Sequence, residues 1–568
     1  MATEAQAGTA PHTAQTAAVT AERSLGRLSP TGRFYAGLAL GSLALGALSL
    51  LFPSTPSYDP WSWLLWAREI VHGHLTITSS GTSWKPLPMV FTIPFALLGG
   101  AAPNLWLMVA RAGAIAAVVM VFRLSWRLTR RVGGLFGEAS GRAIEIGPAL
   151  VAGLIGSSVL LLSASGAFLS ANALGYSEAL AAALLMIAIE RLIDGRPRQS
   201  FIVGFFVALD RPEIWLFWGV LGLWLLWRDP GARVLVVASA VVVLAAWFLP
   251  VKLGCGSFTC SVNRALKPRS NSLAFASSPF EAELSEAAWP TMLLRIKVPA
   301  GLLVLAVAGL SLREWRQRGL AALAAPRNRA RIVTAGLAIG GLAWFVVIAV
   351  MTQIGFSGNN RYLVLGSALV DVCGSVAFGW AARELGVLAM RGLRHRRTAN
   401  VGHGAAEQAP AATQAATGQA GSATAAALQW AAAGLMALLF MFGPNWVGPN
   451  LISFPRTHRA LVYQANLRKG LGQLVSLYGG PAKVLACGSV MTEGFQVPMV
   501  SWGLGVATTR IEAPPDVASE AGPAPNVILQ TRDTGSAALL PVLASWPNVH
   551  YHYVGTRGPI HMFTHCQG

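Results

Sequence analysis

The stretch RPRQSFIVGFFVALDRPEIWLFWGVLGLWLLWR, residues 196–228, decides the fold. Its apolar run from 200 to 227 is too long for one membrane-crossing helix and is broken at its centre by Asp210, Arg211, Pro212 and Glu213. Arg196 and Arg198 precede it and Arg228 follows it, so both ends belong in the cytoplasm and the polar tip points away. Each arm has about 11 to 14 residues, roughly 16 to 21 Å of helix, which falls short of the ~30 Å hydrocarbon core. The tip therefore ends at membrane depth, and charges are tolerated there where they line a water-accessible cavity, here one open to the outer side.

Apolar runs recur on both sides of this hairpin, at 34–52, 104–124, 147–166, 173–193, 232–250, 293–311, 332–353, 362–382 and 426–443. With the hairpin counted as two, they predict a mainly α, polytopic transmembrane bundle of about eleven spans, its N-terminus inside and its C-terminal domain extracytoplasmic. Composition agrees. Charged residues make up 12% of the chain against about 25% in soluble proteins, and hydrophobic residues make up 54%, so lipid must solvate most of the surface. That excludes a cytosolic enzyme, a disordered regulator and a small disulfide scaffold. The net charge of +19 does not signal nucleic acid. Its cations fall in clusters between apolar runs, such as Arg123, Arg127, Arg130 and Arg131, or Arg391, Arg394, Arg396 and Arg397, which read as cytoplasmic loops without a recognition fold.

Residues 1–33 form a polar cytoplasmic tail, and the run that follows is expected to act as an uncleaved anchor. The transmembrane domain spans 34–383 and carries an outer loop at 53–103. Residues 384–425 become Ala, Gln, Gly and Thr low complexity and are expected to be a disordered cytoplasmic loop; 426–444 is the last span. Residues 445–568 read as a small extracytoplasmic α/β domain. Its expected strands are Lys483–Ala486, Val527–Gln530 and Val549–Val554, its helices lie around Arg459–Leu477 and Ser536–Ala544, and a linker covers 514–525. Cys255 and Cys260 share one outer loop, Cys487 and Cys566 share the outer domain, and each pair is expected to form a disulfide.

The residues that could carry chemistry gather on the outer side. Asp59 opens a Trp-rich amphipathic segment, Tyr58 to Ile70, which is expected to lie at the membrane interface. Its carboxylate reads either as an N-cap followed by Pro60, or as a base placed where an aqueous acceptor meets a lipid-linked donor. Lys85, followed by Pro86 and Pro88, is a compact cation on a stiffened backbone; it suits a lipid phosphate, or simply snorkels to headgroups. Glu178 opens a span, where it compensates the helix dipole or serves as a second acid. Arg211 and Glu213 can pair with each other at the hairpin tip. Arg361, next to Tyr362, enters a span from the outer side against the positive-inside trend, which favours an anionic partner. One outward groove, with the hairpin as its floor, is expected to bring together Asp59, Lys85, Arg211 and Arg361, with Tyr58, Trp61, Glu213 and Tyr362 on its walls. His550, His552, His561 and His565 fit no zinc spacing. No P-loop, GxSxG, HExxH or CxxC occurs.

Taken together, the acid in the first outer loop, the interfacial helix after it, Lys85-Pro86, the Asp-Arg-Pro-Glu tip at 210–213 and Arg361-Tyr362 resemble the C-type (GT-C) superfamily of glycosyltransferases. The resemblance covers 34–382 and rests on the order and shared location of its motifs. It implies a polyprenyl-phosphate sugar donor, a hexosyl or pentosyl transfer, and a glycan or protein acceptor in the cell envelope. It assigns Asp59 as the base, with Glu178 the next candidate, and Lys85, Arg361 and Arg211 to the donor phosphate. The role of Lys85 follows the aminoarabinose-transferase branch. Several branches pair two acids in this loop, whereas Asp59 stands alone, so a divalent cation remains open and no other cofactor is implied. The Ala/Arg-rich, Lys-poor composition resembles high-GC actinobacterial proteins, which implies decaprenyl or undecaprenyl carriers. The residues alone also fit a non-catalytic transporter, flippase or scaffold for lipid-linked sugars, although no inverted repeat is visible.

Overall fold

The computed structural model describes residues 29–77, 82–132, 146–162, 168–268, 272–288, 294–400, 411–442, 452–514, 522–531 and 546–566. Its membrane part contains α1 (Pro30–Leu48), α2 (Tyr58–Val71), α3 (Pro86–Ala96), α4 (Ala102–Val132), α5 (Ile146–Leu162), α6 (Glu178–Ile193), α7 (Pro197–Asp210) and α8 (Trp215–Arg228). It continues with α9 (Arg233–Cys255), α10 (Pro279–Ala288), α11 (Leu294–Arg318), α12 (Pro326–Gln353), α13 (Val364–Asn400) and α14 (Ala411–Phe442). Among the described residues, seven helices are long and apolar enough to cross a membrane: α1, α4, α9, α11, α12, α13 and α14. The other four expected spans are shorter helices, α5 to α8, of 17, 16, 14 and 14 residues. Large apolar side chains such as Leu223, Trp227, Val234 and Leu253 face outward. A protein with this surface is a multi-pass membrane protein.

The hairpin follows from one proline. Pro212 holds Arg211 extended (φ −135°, ψ 112°), which ends α7 at Asp210. Pro212 also has no N–H for the Ala208 carbonyl, the partner a continuing helix would give it. Two indoles take that place: Trp215 Nε1 and Trp247 Nε1 donate to Ala208 O at 3.0 and 2.9 Å. The tip is thus fixed to α9 and buried, with Asp210 and Arg211 almost wholly covered.

Two expectations about helices need correction. Residues 384–425 are not a disordered loop throughout, because α13 continues to Asn400 and α14 already begins at Ala411. Ala and Gln are strong helix formers, so low complexity here favours helix. The Trp-rich α2 does not lie bare at an interface either. Trp61, Trp63 and Trp66 are all buried: α17 of the C-terminal domain (Val497–Leu504) packs on α2 and brings Trp502 against Trp61, while Trp63 meets Trp106 and Trp66 meets Trp84 within the membrane part.

That domain comprises α15 (Phe454–Tyr478), α16 (Pro481–Cys487), α17 and a five-stranded sheet ordered β2-β1-β3-β5-β4. The strands are β1 (Val490–Thr492), β2 (Ile511–Glu512), β3 (Val527–Thr531), β4 (His552–Arg557) and β5 (Ile560–Thr564). β1 runs parallel to β2 and β3, while β5 is antiparallel to both β3 and β4. Leu467, Leu471 and Leu474 of α15 share one core with Val527 and Met562 of the sheet and with Trp61 and Trp66 of α2. Lys483–Ala486, expected as a strand, is part of α16, since Pro481 at its first turn starts a helix. The expected strand at 549–554 begins later, at His552, and the expected helix at 536–544 lies outside the described residues. Cys255 is bonded to Cys260 and Cys487 to Cys566; Cys373 is a buried free thiol.

Candidate active site

Asp59 is not the N-cap of α2. Ser57 holds that position, Asp59 is the second helical residue, and Pro60 is tolerated because first-turn N–H groups need no intrahelical partner. The carboxylate instead meets Arg361, with Nη2 2.7 Å from Asp59 Oδ2. Ser57 N–H donates to Leu174 O at 2.9 Å, which draws the start of α2 to the turn before α6.

Glu178 stands at the first position of α6 and is fully buried. Three cations surround it. Lys85 Nζ lies 3.5 Å from Glu178 Oε1, Arg361 Nε lies 3.8 Å away, and Arg211 Nη2 makes the closest contact. Glu213, expected as the partner of Arg211, is secondary at 3.5 Å. The tip turns its arginine toward α6, where a buried carboxylate already sits at a helix N-terminus. Lys85 also donates to Ser177 Oγ at 3.2 Å and lies over the Trp63 ring, so it does not snorkel to the membrane surface.

Aromatic rings enclose the guanidinium groups. Arg361 lies 4.0 Å from the Tyr176 ring centroid, and Arg211 lies 4.5 Å from that of Tyr362. Arg361 is placed by the turn before it. Gly358 adopts φ +53°, and a Cβ there would run into Glu283 and Thr352, so the position requires glycine. Trp344 Nε1 then holds the Tyr362 carbonyl at 2.8 Å.

The structure therefore brings Asp59, Lys85, Glu178, Arg211, Glu213, Arg361 and Tyr362 together. The expected open groove is absent among the described residues: these side chains are covered, with exposures of 6% for Asp59, 10% for Lys85, 4% for Arg211 and 15% for Arg361. Trp61 lies apart, beneath Trp502 and Arg468, and Tyr58 packs edge-on against Phe495. Both face the C-terminal domain. Tyr176 and Ser177 were missed by the motif reading, although they immediately precede Glu178.

The cluster has more polar capacity than the chain satisfies. Glu178 Oε2, Glu213 Oε2, Arg211 Nε, Arg361 Nη1 and both Asp210 carboxylate oxygens are buried without a hydrogen-bond partner. Buried polar atoms are paired in the great majority of cases, so a group of orphans in one place has hydrogen-bonding capacity for a polar ligand or ordered water. Among the described residues no three His, Cys, Asp or Glu side chains gather as a metal site. A concavity of about 570 Å³ near Lys469, Gln473 and Arg557 lies on the C-terminal domain, away from these charges.

No protein-family model and no curated protein matches the chain. Among solved structures, the chain is similar to ArnT from Cupriavidus metallidurans bound to undecaprenyl phosphate, with a TM-score of 0.47, 14% identity, and coverage of 94% of this chain and 98% of that one. The apo state of the same protein gives 0.46 at 14% identity. The apo oligosaccharyltransferase from Archaeoglobus fulgidus gives 0.33 at 13% identity, covering 84% of this chain and 64% of that one.

Proposed function

We propose that this protein is a GT-C membrane glycosyltransferase that moves a sugar from a polyprenyl-phosphate donor to an extracytoplasmic acceptor in the cell envelope. The observation that carries the reading is the convergence of two acids, Asp59 and Glu178, and three cations, Lys85, Arg211 and Arg361, from five separate segments, on a buried cluster with unfilled hydrogen-bonding capacity. The sequence resemblance assigns roles to these same side chains. In the proposed orientation the N-terminus and the arginine clusters face the cytoplasm, and the cluster and C-terminal domain face outward.

Asp59 takes the proton of the attacking acceptor hydroxyl. The acceptor oxygen bonds to the anomeric carbon as the bond from that carbon to the phosphate oxygen breaks, and the electron pair leaves with the lipid phosphate. Lys85, Arg211 and Arg361 stabilise the charge that gathers there. Direct attack inverts the anomeric configuration. Glu178 balances the three cations before the donor arrives.

Asp59→Asn tests the reading, since Asn keeps the size of the side chain and removes the base. Transfer from a polyprenyl-phosphate sugar should fall by about 10² to 10⁴, with donor binding largely intact. Turnover at the parental rate would remove Asp59 from the chemistry and pass the base role to Glu178, whereas absence of transfer in the parental protein would favour the transporter reading.

A further inference from the structure

The loop that delivers Lys85 is held at two points, and both flank the Cys255–Cys260 disulfide. Gly254, the residue before Cys255, accepts the Ile77 N–H through its carbonyl at 3.0 Å. Ser261, the residue after Cys260, accepts the Trp84 N–H through Oγ at 2.8 Å, and Trp84 directly precedes Lys85. Both bonds are sheltered, because Ile77, Trp84 and Ser261 are buried. Gly254 packs directly on Ile77 and Leu75, where a Cβ would not fit. The Trp84 indole is fixed as well: Nε1 donates to Ala246 O on α9 at 2.9 Å, and its ring lies against Trp66 of α2. Cys255 closes α9, and the chain turns back through Cys260 into a short helix, so the bridge sets the spacing of the two acceptors.

We propose that Ser261 is a positioning residue for Lys85, and that the Cys255–Cys260 bridge is the staple that keeps Ser261 and Gly254 in register with the Lys85 arm. The inference rests on the donor-phosphate role proposed for Lys85. It predicts that affinity for a lipid phosphate depends on a hydroxyl and a disulfide that do not touch the ligand. Without the bridge, the segment 256–260 is free to lengthen, the Trp84 amide loses its acceptor, and Lys85 no longer lies over Glu178.

The test uses the full-length protein in detergent, with undecaprenyl phosphate as the titrated probe and hydrogen exchange at the Trp84 amide as a ligand-free readout. Ser261→Ala should weaken binding roughly threefold to tenfold, the loss expected for one buried hydrogen bond. Ser261→Thr should restore it, and Ser261→Ala should add nothing in a Lys85→Ala background. Trp84 exchange should quicken in Ser261→Ala and in the Cys255→Ser/Cys260→Ser variant. Unchanged exchange, or additive losses in the double variant, would overturn the inference. If the wild type does not bind undecaprenyl phosphate while Trp84 exchange responds as stated, the staple stands and the donor assignment is what fails.

Discussion

α6 carries a buried glutamate near each end, and the two clusters built around them differ in one respect that separates a site from an anchor. Glu178 and Glu190 lie twelve residues apart, roughly 18 Å along the axis. At Glu190, Arg123 Nε approaches to 2.7 Å, Arg127 makes the closest contact, and Tyr35 OH donates at 2.6 Å. Asp194 then ties Arg127, Arg131 and Arg191 together at 2.6 to 2.7 Å. Three of these cations stand on successive turns of α4 and are partly exposed. Both oxygens of Glu190 are used, and Nε of Arg191 is the single buried orphan among these residues. The cations around Glu178 instead come from the α2–α3 loop, the hairpin tip and the entrance of α13, and orphaned atoms remain. Similar charges make a finished anchor where neighbours on one helix and solvent satisfy them. They make an incomplete polar site where distant segments bring them together in a dry place.

The sharpest way to break this contrast is to ask which side each end faces. A cysteine at Ser476 should be labelled by an impermeant reagent in intact cells and one at Gly402 should be spared; the free thiol Cys373 is buried, and the other cysteines are bridged. The reverse pattern would put the Glu178 cluster on the cytoplasmic side. Next in size, Glu178→Gln removes the carboxylate that three buried cations share, leaving Arg361 to Asp59, Arg211 to Glu213 and Lys85 without an acid, and should cost roughly 3 to 5 kcal/mol of stability along with transfer activity. Glu190→Gln should cost about half as much and leave turnover intact, since Gln can still accept from Tyr35 and the arginines reach water. Equal loss of turnover in both variants would erase the distinction. Lys85→Ala should weaken lipid-phosphate binding about tenfold, read as a rise in the donor KM beyond any change in kcat.

The smallest effect is one of pH. Burial raises the Glu283 carboxyl to about 7, with the Thr352 hydroxyl opposing and Glu286 adding to the shift. The folded chain thus keeps a proton that the unfolded chain has lost. Stability at the turn before Arg361 should be full below about 4.5, fall as pH rises toward about 7, and level off above it. Apparent Tm should drop by a few degrees between about pH 5 and about pH 8, and Glu283→Gln should flatten the profile. A wild-type profile that is flat over that range would mean the carboxyl is already ionised.

The membrane part was legible because apolarity sums over about twenty residues, and because a few charges in such a background are conspicuous. Asp59, Lys85, Arg211 and Arg361 were visible for that reason. Their partners were not: nothing in the local sequence tells Arg211 to choose Glu178 over neighbouring Glu213. The same limit hid the covering of α2. Arg68 Nη2 donates to Val506 O at 2.9 Å and Nη1 to Trp502 O at 3.2 Å, contacts between residues more than 430 positions apart. Where periodicity was weak, as in 384–425, composition alone could not separate an unstructured linker from an Ala-rich helix.

The strand order of the C-terminal domain constrains when the protein can be finished. β5 lies between β3 and β4 although it follows both in the chain, and Cys566 just beyond it closes the bridge to Cys487. The sheet cannot close until residues 560–564 have been synthesised. Until then Trp61 of α2, which lies beneath Trp502 and Arg468, lacks its complete cover, so biogenesis runs against sequence order: the helix bearing Asp59 is made among the earliest segments and is sealed among the last.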